Sequence, residues 1–170
     1  MTATCKLLRP SVCLWQPCRS MSTKTVSPIP FAVFGGESMM MVTPHLAEVV
    51  NNGVDMQVVK PGNVTFYFMK KTTAEAKTSP DAKRFDKNSL VGQTLRAGDI
   101  GELIGSSCEE VKINDKWNSE NCLAVEKGVS EVHHHEVRRF TIQKDGSSQS
   151  VSCTMQEMAA LQKMLEVNKN

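Results

Sequence analysis

The feature that most constrains this chain is an order of segments that occurs twice: a series of strand-like segments followed directly by a helix-like segment. In the first half, apolar and β-branched residues form short runs at 31–34, 38–42, 55–60, 64–71 and 89–95, before a helical pattern at 98–104. In the second half, the corresponding runs lie at 109–113, 123–126, 132–143 and 150–154. A duplicated unit of a sheet followed by a helix is therefore predicted, rather than a doubly wound parallel sheet.

One predicted hairpin indicates which side chains enter the core. Residues 55–60 and 64–71 are expected to pair across a tight turn at 61–63, which has the sequence Pro-Gly-Asn. Because side chains alternate across a strand, Val64, Phe66 and Phe68 share the face that belongs in the core. Tyr67 and Lys71 then belong to the exposed face, and the short turn implies antiparallel pairing.

The last helix has the clearest start signal in the sequence. Thr154 and Glu157 have the spacing of a capping box, in which the two side chains bond the free backbone N–H groups of the first turn. Met158, Leu161 and Leu165 then recur at helical spacing and form an apolar stripe. The predicted fold class is α+β, with a helix after each group of strands.

The first 22 residues have the composition of a mitochondrial presequence. Residues 1–24 contain Lys6, Arg9, Arg19 and Lys24 together with hydroxyl and apolar residues, and they contain no acid. The expected organisation is a presequence at 1–22 and one domain at 27–168, with repeats at about 31–105 and 108–168, and the expected location is the mitochondrial matrix. A disordered tail is the alternative interpretation of the same residues.

Charge and cysteine content limit the function classes. The whole chain has a formal net charge of +2, but residues 25–170 hold 16 basic and 18 acidic side chains, which gives −2. A wholly basic surface is therefore excluded. No apolar run is long enough for a transmembrane helix, so no membrane partner is expected. Cys108, Cys122 and Cys153 form no closely spaced pair, which fits a reducing compartment.

Four segments of the chain resemble the Whirly family and its kinetoplastid mitochondrial relatives, the guide-RNA-binding proteins. They have the sequences MMVTPHL at 40–46, DMQVVKPGNVTFYF at 55–68, LRAGDIGELI at 95–104 and VSCTMQEMA at 151–159. The likeness extends over roughly residues 34–165, with the segments in the family's order and at similar spacing.

This resemblance implies two antiparallel four-stranded sheets packed across each other, with helices that hold a tetramer together. It also implies binding of single-stranded DNA or RNA on the sheet surfaces with little sequence preference, and in the mitochondrial branch the annealing of guide RNA to messenger RNA. Plant members carry Lys-Gly-Lys before the first long strand, whereas this chain has Gly35-Gly36-Glu37-Ser38. That difference favours the RNA-binding branch, or a member that has lost binding.

Binding of single strands without sequence reading needs cations for phosphates and flat side chains for bases. Such groups lie on the exposed face of the predicted hairpin, on the long second-half strand and in the polar loop at 72–87. The candidate nucleic-acid-binding residues are Gln57, Lys60, Tyr67, Lys71, Lys83, Arg84, His133, His135 and Arg139. One sheet face carrying Tyr67, Lys71, His135 and Arg139 is expected to hold the RNA. Ordinary solvated sheet residues are the alternative.

Catalytic and metal sites are not predicted. On a strand, only His133 and His135 of the run 133–135 share a face, and a closed zinc site needs three or four ligands. No P-loop and no nucleophile elbow occurs, so neither an enzyme nor a cofactor is expected. The leading hypothesis is a mitochondrial single-stranded RNA-binding protein that acts as an annealing chaperone, as a homotetramer or with a sister subunit. The alternatives are a structural subunit of a mitochondrial ribosome or other large assembly, and single-stranded DNA binding in the organelle nucleoid.

Overall fold

The fold is given by a computed structural model that describes residues 29–51, 53, 55–72, 84–106, 110–116, 118, 120–130 and 134–168. The predicted presequence at 1–22 lies outside these residues. Ten strands and two α-helices are found in the described residues: β1 (Phe31–Phe34), β2 (Ser38–His45), β3 (Glu48–Asn51), β4 (Met56–Lys60), β5 (Asn63–Lys70), β6 (Val91–Arg96), α1 (Ala97–Gly105), β7 (Val111–Asn114), β8 (Cys122–Val129), β9 (Glu136–Lys144), β10 (Ser147–Thr154) and α2 (Met155–Asn168).

The strands form two four-stranded antiparallel sheets. Sheet 1 has the order β1-β2-β5-β6, and sheet 2 has the order β7-β8-β9-β10. In each sheet the strand that precedes the helix is an edge strand, and the helix begins at the next residue. The predicted α+β fold with two antiparallel four-stranded sheets and a helix after each repeat is confirmed.

The predicted hairpin of 55–60 with 64–71 is wrong. β5 pairs with β2 and β6, whereas β4 pairs with β3. His45 lies opposite Asn63, and Glu48 lies opposite Lys60, so β3–β4 continues the β2–β5 pair beyond a bend. The Pro-Gly sequence at 61–62 therefore marks this bend, and the chain reverses between Asn51 and Met56, which are paired at the tip.

We call the β3–β4 hairpin the arm. Every residue of β3 and β4 is exposed, including Val49, Met56 and Val58. Gly62 fits the bend because a Cβ there would lie 3.1 Å from the carbonyl oxygen of His45. The arm thus projects from sheet 1 and has no buried face of its own.

The core lies between the inner faces of the two sheets. Val64, Phe66 and Phe68 are fully buried, as the alternation in β5 predicts. The rings of Phe66 in sheet 1 and Phe140 in sheet 2 stack with centroids 6.0 Å apart. Apolar burial of this kind is the main contribution to stability and fixes which face of each sheet is left outside.

The helices close one side of this core. The backbone N–H and hydroxyl of Thr154 donate to Glu157 Oε2 at 2.7 and 2.9 Å, and the N–H of Glu157 donates back to Thr154 Oγ1 at 3.3 Å. The predicted capping box is therefore confirmed. Met158, Leu161 and Leu165 are buried, so the predicted apolar stripe of α2 also faces the core. Neither helix of the described residues is long and apolar enough to cross a membrane.

Candidate nucleic-acid interface

The outer face of sheet 1 is divided into an apolar end and a polar end. The strand register places the outward side chains in four rows across the sheet. The apolar end consists of the first two rows and contains Phe34, Met39 and Met69, followed by Ala32, Met41, Tyr67 and Gly92. The polar end contains Thr43, Thr65 and Thr94, followed by His45, Asn63 and Arg96.

These outward strand positions carry no carboxylate. Carboxylates repel phosphates, so their absence from the face matters more for an anionic ligand than the net charge of the chain. At the polar end, the hydroxyls of Thr65 and Thr94 lie 3.0 Å apart and share a hydrogen bond. The face therefore offers apolar contact at one end and hydroxyl and amide groups at the other.

Tyr67 is the central ring of the apolar end. It lies opposite Gly92, and a Cβ on Gly92 would come within 2.9 Å of Tyr67 Cδ1. The ring therefore lies directly over the backbone of β6, where only glycine leaves room for it. One side of the ring packs on β6, and the side chain remains partly exposed.

A second aromatic group lies at the far edge of the apolar end. The rings of Phe34 and Phe85 are 5.8 Å apart, and the guanidinium carbon of Arg84 lies 5.7 Å from the Phe34 centroid and 5.6 Å from the Phe85 centroid. Phe34 is 58% exposed. Arg84 is thus held by cation–π contacts and presents both a charge and a flat surface.

Hydrogen bonds attach this aromatic group to the end of β5. Thr72 donates from its backbone N–H to the carbonyl of Arg84 at 3.0 Å, and Lys71 pairs with Phe85. The ammonium of Lys71 donates to the carbonyl of Gly36 at 3.2 Å. Lys71 and Arg84 therefore lie together at the rim of the apolar end.

Lys71 also lines a groove of about 1030 Å³ at the junction of the two sheets. The turn between β1 and β2 forms one wall, and Ser148, Ser150 and Ser152 of β10 form the opposite wall. Glu37 is the one carboxylate among the lining residues. This groove connects the outer face of sheet 1 to the edge of sheet 2.

A further groove of about 1080 Å³ lies between the arm and the polar end of sheet 1. Tyr67, Thr65 and Thr94 line it on the sheet side, while Leu46 and Val49 line it on the arm side. The bend at residues 61–62 thus turns a flat sheet face into a concave one.

The structure does not place Tyr67 and Arg139 on one surface, and this part of the predicted site is wrong. Arg139 is exposed on the outer face of sheet 2, directly opposite Glu126. The two sheets pack through their inner faces, so Tyr67 and Arg139 lie on the outer faces of different sheets. Thr141 shares the sheet 2 face with Arg139, and Val137 points the same way but is buried.

The remaining candidates are scattered. Gln57 and Lys60 lie on the arm, where Lys60 Nζ is 3.3 Å from Glu48 Oε1. Both side chains of this ion pair are more than 60% exposed, so it contributes little to stability. His135 lies in the loop before β9 rather than on a strand, because β9 begins at Glu136. Lys83 and His133 lie outside the described residues.

Sequence reasoning missed several residues of this interface. Phe34 has a signal in the sequence, because alternation with the buried Val33 turns it outward. Phe85, Gly92 and Lys144 have none, because their roles depend on contacts between distant segments. Lys144 Nζ donates to the carbonyl of Gly92, 52 residues away, at 3.4 Å.

The described residues hold no cluster of three or more side chains suited to a metal ion. Cys122 and Cys153 are buried cysteines in sheet 2. Cys122 Sγ donates to Gln143 Oε1 at 3.5 Å. Both side chains pack in sheet 2 as small buried apolar groups.

Solved structures similar to this chain are those of Whirly proteins. The plant transcriptional regulator PBF-2 matches with a TM-score of 0.58 at 12% identity, over 83% of this chain and 80% of its own. WHY3 from Arabidopsis thaliana matches with a TM-score of 0.58 at 12% identity, over 84% and 86% of the two chains. WHY1 from the same plant matches with a TM-score of 0.56 at 13% identity, over 83% of this chain and 88% of its own.

These likenesses show that the chain has a Whirly-like fold. No protein-family model matches the chain, and no curated protein matches it either. At 12–13% identity, function has to be argued from the side chains of this chain.

Proposed function

We propose that this chain binds single-stranded nucleic acid, and RNA in the first place, on the outer face of sheet 1. The observation that carries this proposal is the composition of that face: the exposed ring of Phe34 and the partly exposed Tyr67, Met41 and Met69 at the apolar end, cations at its rim, and no carboxylate at the outward strand positions. A single strand needs both contacts, since its bases stack on flat apolar groups and its phosphates pair with cations.

The spacing of the aromatic groups suits a short stretch of bases. Phe34 and Tyr67 are two strands and one row apart, which corresponds to about 12 Å from the usual spacings of a sheet. Met39, Met41 and Met69 fill the space between them. Methionine adapts its shape to different partners, so this floor favours tolerance of base sequence.

An annealing role follows because the protein contacts the flat surface of each base and not its pairing edge. Stacking on Tyr67 or on the Arg84 guanidinium occupies the flat surface of a base and leaves its Watson–Crick edge free. A strand held extended in this way is ready to pair with a complementary strand. The protein would accelerate annealing without chemical catalysis.

RNA and a mitochondrial location are supported by the sequence. The acid-free residues 1–24 fit import, and the stretch Gly35-Gly36-Glu37-Ser38, which lacks the lysines of the plant Lys-Gly-Lys element, favours the RNA-binding branch. Thr43, Thr94 and Asn63 are at least partly exposed and offer partners for ribose hydroxyls, which distinguish RNA from DNA. Assembly as a tetramer, with itself or with a sister subunit, belongs to the same proposal.

A titration with unstructured RNA over a salt series tests this function. The affinity should fall with salt, with a logarithmic slope of about −0.7 for each phosphate neutralised. Competition with single-stranded DNA of the same sequence separates RNA binding from a nucleoid role. Absence of binding to either polymer at low salt contradicts the proposal.

A structural subunit of a large mitochondrial assembly is the second candidate, and the arm is the observation that favours it. An isolated two-stranded hairpin is only marginally stable in water, yet the arm exposes Val49, Val50, Met56, Val58 and Val59. Contact with another protein would bury these side chains. Sedimentation of the tagged chain with one large particle after nuclease treatment would favour this role.

A further inference from the structure

Gly92 brings an aromatic ring and a cation together at the edge of sheet 1. On one side, the Tyr67 ring occupies the space that a side chain would take. The carbonyl oxygen of Gly92 accepts a hydrogen bond from Lys144 Nζ at 3.4 Å. Lys144 is the last residue of β9 in sheet 2, so this contact also joins the two sheets.

The same edge forms one wall of a small cleft. Its volume is about 320 Å³, and it is lined by three cations, Arg96, Lys116 and Lys144. Thr94 lines both this cleft and the groove beneath the arm. The two concave surfaces therefore meet at the Tyr67–Gly92 pair.

The charge of the cleft fits one phosphate. Asp99 and Asp115 also line it, so its formal charge is +1. Asp99 accepts the backbone N–H of Arg96 at 3.0 Å and is thereby held at the start of α1. A cleft with a net positive charge attracts an anionic phosphodiester.

We propose that Gly92 organises a subsite for one nucleotide, in which the base stacks on Tyr67 and the adjacent phosphate enters the cleft beside Lys144. This inference rests on the proposed binding of single-stranded nucleic acid and specifies part of its path. The strand runs from the groove beneath the arm, across Tyr67, and over the edge of β6. Gly92 acts as a positioning residue, since it contacts the ligand only through the ring and the ammonium that it holds.

A double-mutant cycle tests the role of Gly92. Gly92→Ala places a methyl group 2.9 Å from Tyr67 Cδ1 and must displace the ring. Tyr67→Ala should weaken binding of an unstructured RNA by about 5- to 150-fold, the range for one stacked base. Gly92→Ala should weaken it in the wild-type background and have no further effect in the Tyr67→Ala background.

Two observations separate this effect from simple destabilisation. Tyr67 is the only tyrosine of the chain, so its ring resonances report its position directly. They should shift in Gly92→Ala and remain unchanged in Gly128→Ala, a control on β8 where the nearest atom is Val137 Cγ2 at 3.4 Å. Additive effects of Gly92→Ala and Tyr67→Ala on affinity would overturn the positioning role.

The salt dependence tests the phosphate half of the subsite. Lys144→Ala should reduce the magnitude of the salt slope by about 0.7, the value for one phosphate contact in a single strand. Lys163→Ala, on the exposed surface of α2, should leave the slope unchanged. An unchanged slope in Lys144→Ala would overturn the phosphate contact.

The outcomes also separate this inference from the proposed function. If the wild-type chain binds neither RNA nor DNA, the proposed function fails and the subsite fails with it. If the wild-type chain binds RNA while Gly92→Ala and Lys144→Ala bind it equally well, only the subsite fails.

Discussion

The side chain of Gln93 joins the two sheets, because its Nε2 donates a hydrogen bond of 2.9 Å to the backbone carbonyl of Ile113. Gln93 lies on the edge strand β6 and is 6% exposed, and Ile113 lies on the edge strand β7. Neither β6 nor β7 pairs with a further strand on its outer side. The bond therefore satisfies a carbonyl that would otherwise be left at the inner margin of the core.

Removal of this bond should destabilise the fold. We expect Gln93→Leu to lower the free energy of unfolding by about 1–3 kcal/mol, since the carbonyl of Ile113 loses its buried partner. Denaturant unfolding monitored by circular dichroism measures the change. A loss below about 0.5 kcal/mol, the range of neutral surface substitutions, would show that water replaces the amide at this position.

The alternation within β5 and the cap of α2 could be predicted because both depend on neighbours in sequence. Val64, Phe66 and Phe68 face the core at a period of two, and Thr154 meets Glu157 three residues later. The Pro-Gly sequence at 61–62 predicts a hairpin turn but forms a bend, because it is compatible with both structures. Pairing of Met40 with Phe68 decides between them, and no local pattern encodes that contact.

The end of strand β2 likewise depends on contacts that the local sequence does not show. The sequence pattern predicts a strand at 38–42, yet β2 continues through Pro44 to His45. Its neighbour β1 pairs with it no further than Val42, so beyond that residue β2 has a partner only on the β5 side. Proline is tolerated where the strand has a free edge, and the sequence alone does not show where that edge lies.

The sequence predicts several residues of the candidate site, but it does not predict which of them share a surface. Tyr67, Lys71 and Arg84 lie near the apolar end of sheet 1, whereas Arg139 lies on the other sheet. Alternation assigns a residue to one side of its own strand, but it does not relate the faces of two sheets. That relation depends on which faces pack together in the core.

The different surfaces of Lys71 and Arg139 lead to different expectations for their alanine variants. Lys71→Ala should weaken RNA binding and reduce the magnitude of the salt slope by about 0.7. Arg139→Ala should leave both quantities unchanged, since Arg139 faces Glu126 on sheet 2. Fluorescence anisotropy at several salt concentrations measures the two variants. A larger effect of Arg139→Ala would indicate that the RNA lies on sheet 2.

The contacts of Arg84 predict that its shape matters as well as its charge. Arg84→Lys keeps the charge but loses the planar group held against Phe34 and Phe85. We expect Arg84→Lys to weaken RNA binding with an unchanged salt slope, and Arg84→Ala to weaken it with a smaller slope. If Arg84→Lys binds as well as the wild type, Arg84 acts only as a phosphate contact.

The capping box of α2 predicts a moderate loss of stability for Thr154→Ala. The variant removes the hydroxyl that bonds both Glu157 Oε2 and the backbone N–H of Glu157. Loss of such an N-terminal cap costs about 0.5–2 kcal/mol. Thermal unfolding measures the change, and Ser152→Ala on the outer face of β10 serves as the control. Equal melting temperatures for the two variants would contradict the capping role.

Phe140 and Phe34 both lie on strands, but substitution should affect stability at Phe140 and RNA binding at Phe34. Phe140 is fully buried against Phe66, so Phe140→Ala should cost about 3–5 kcal/mol of stability through lost burial and the cavity left behind. Phe34 is 58% exposed, so Phe34→Ala should keep the fold and weaken RNA binding instead. Denaturant unfolding and RNA titration on both variants measure the contrast. Strong unfolding of Phe34→Ala, or full RNA affinity in a folded Phe34→Ala, would show that its ring serves the sheet and not a base.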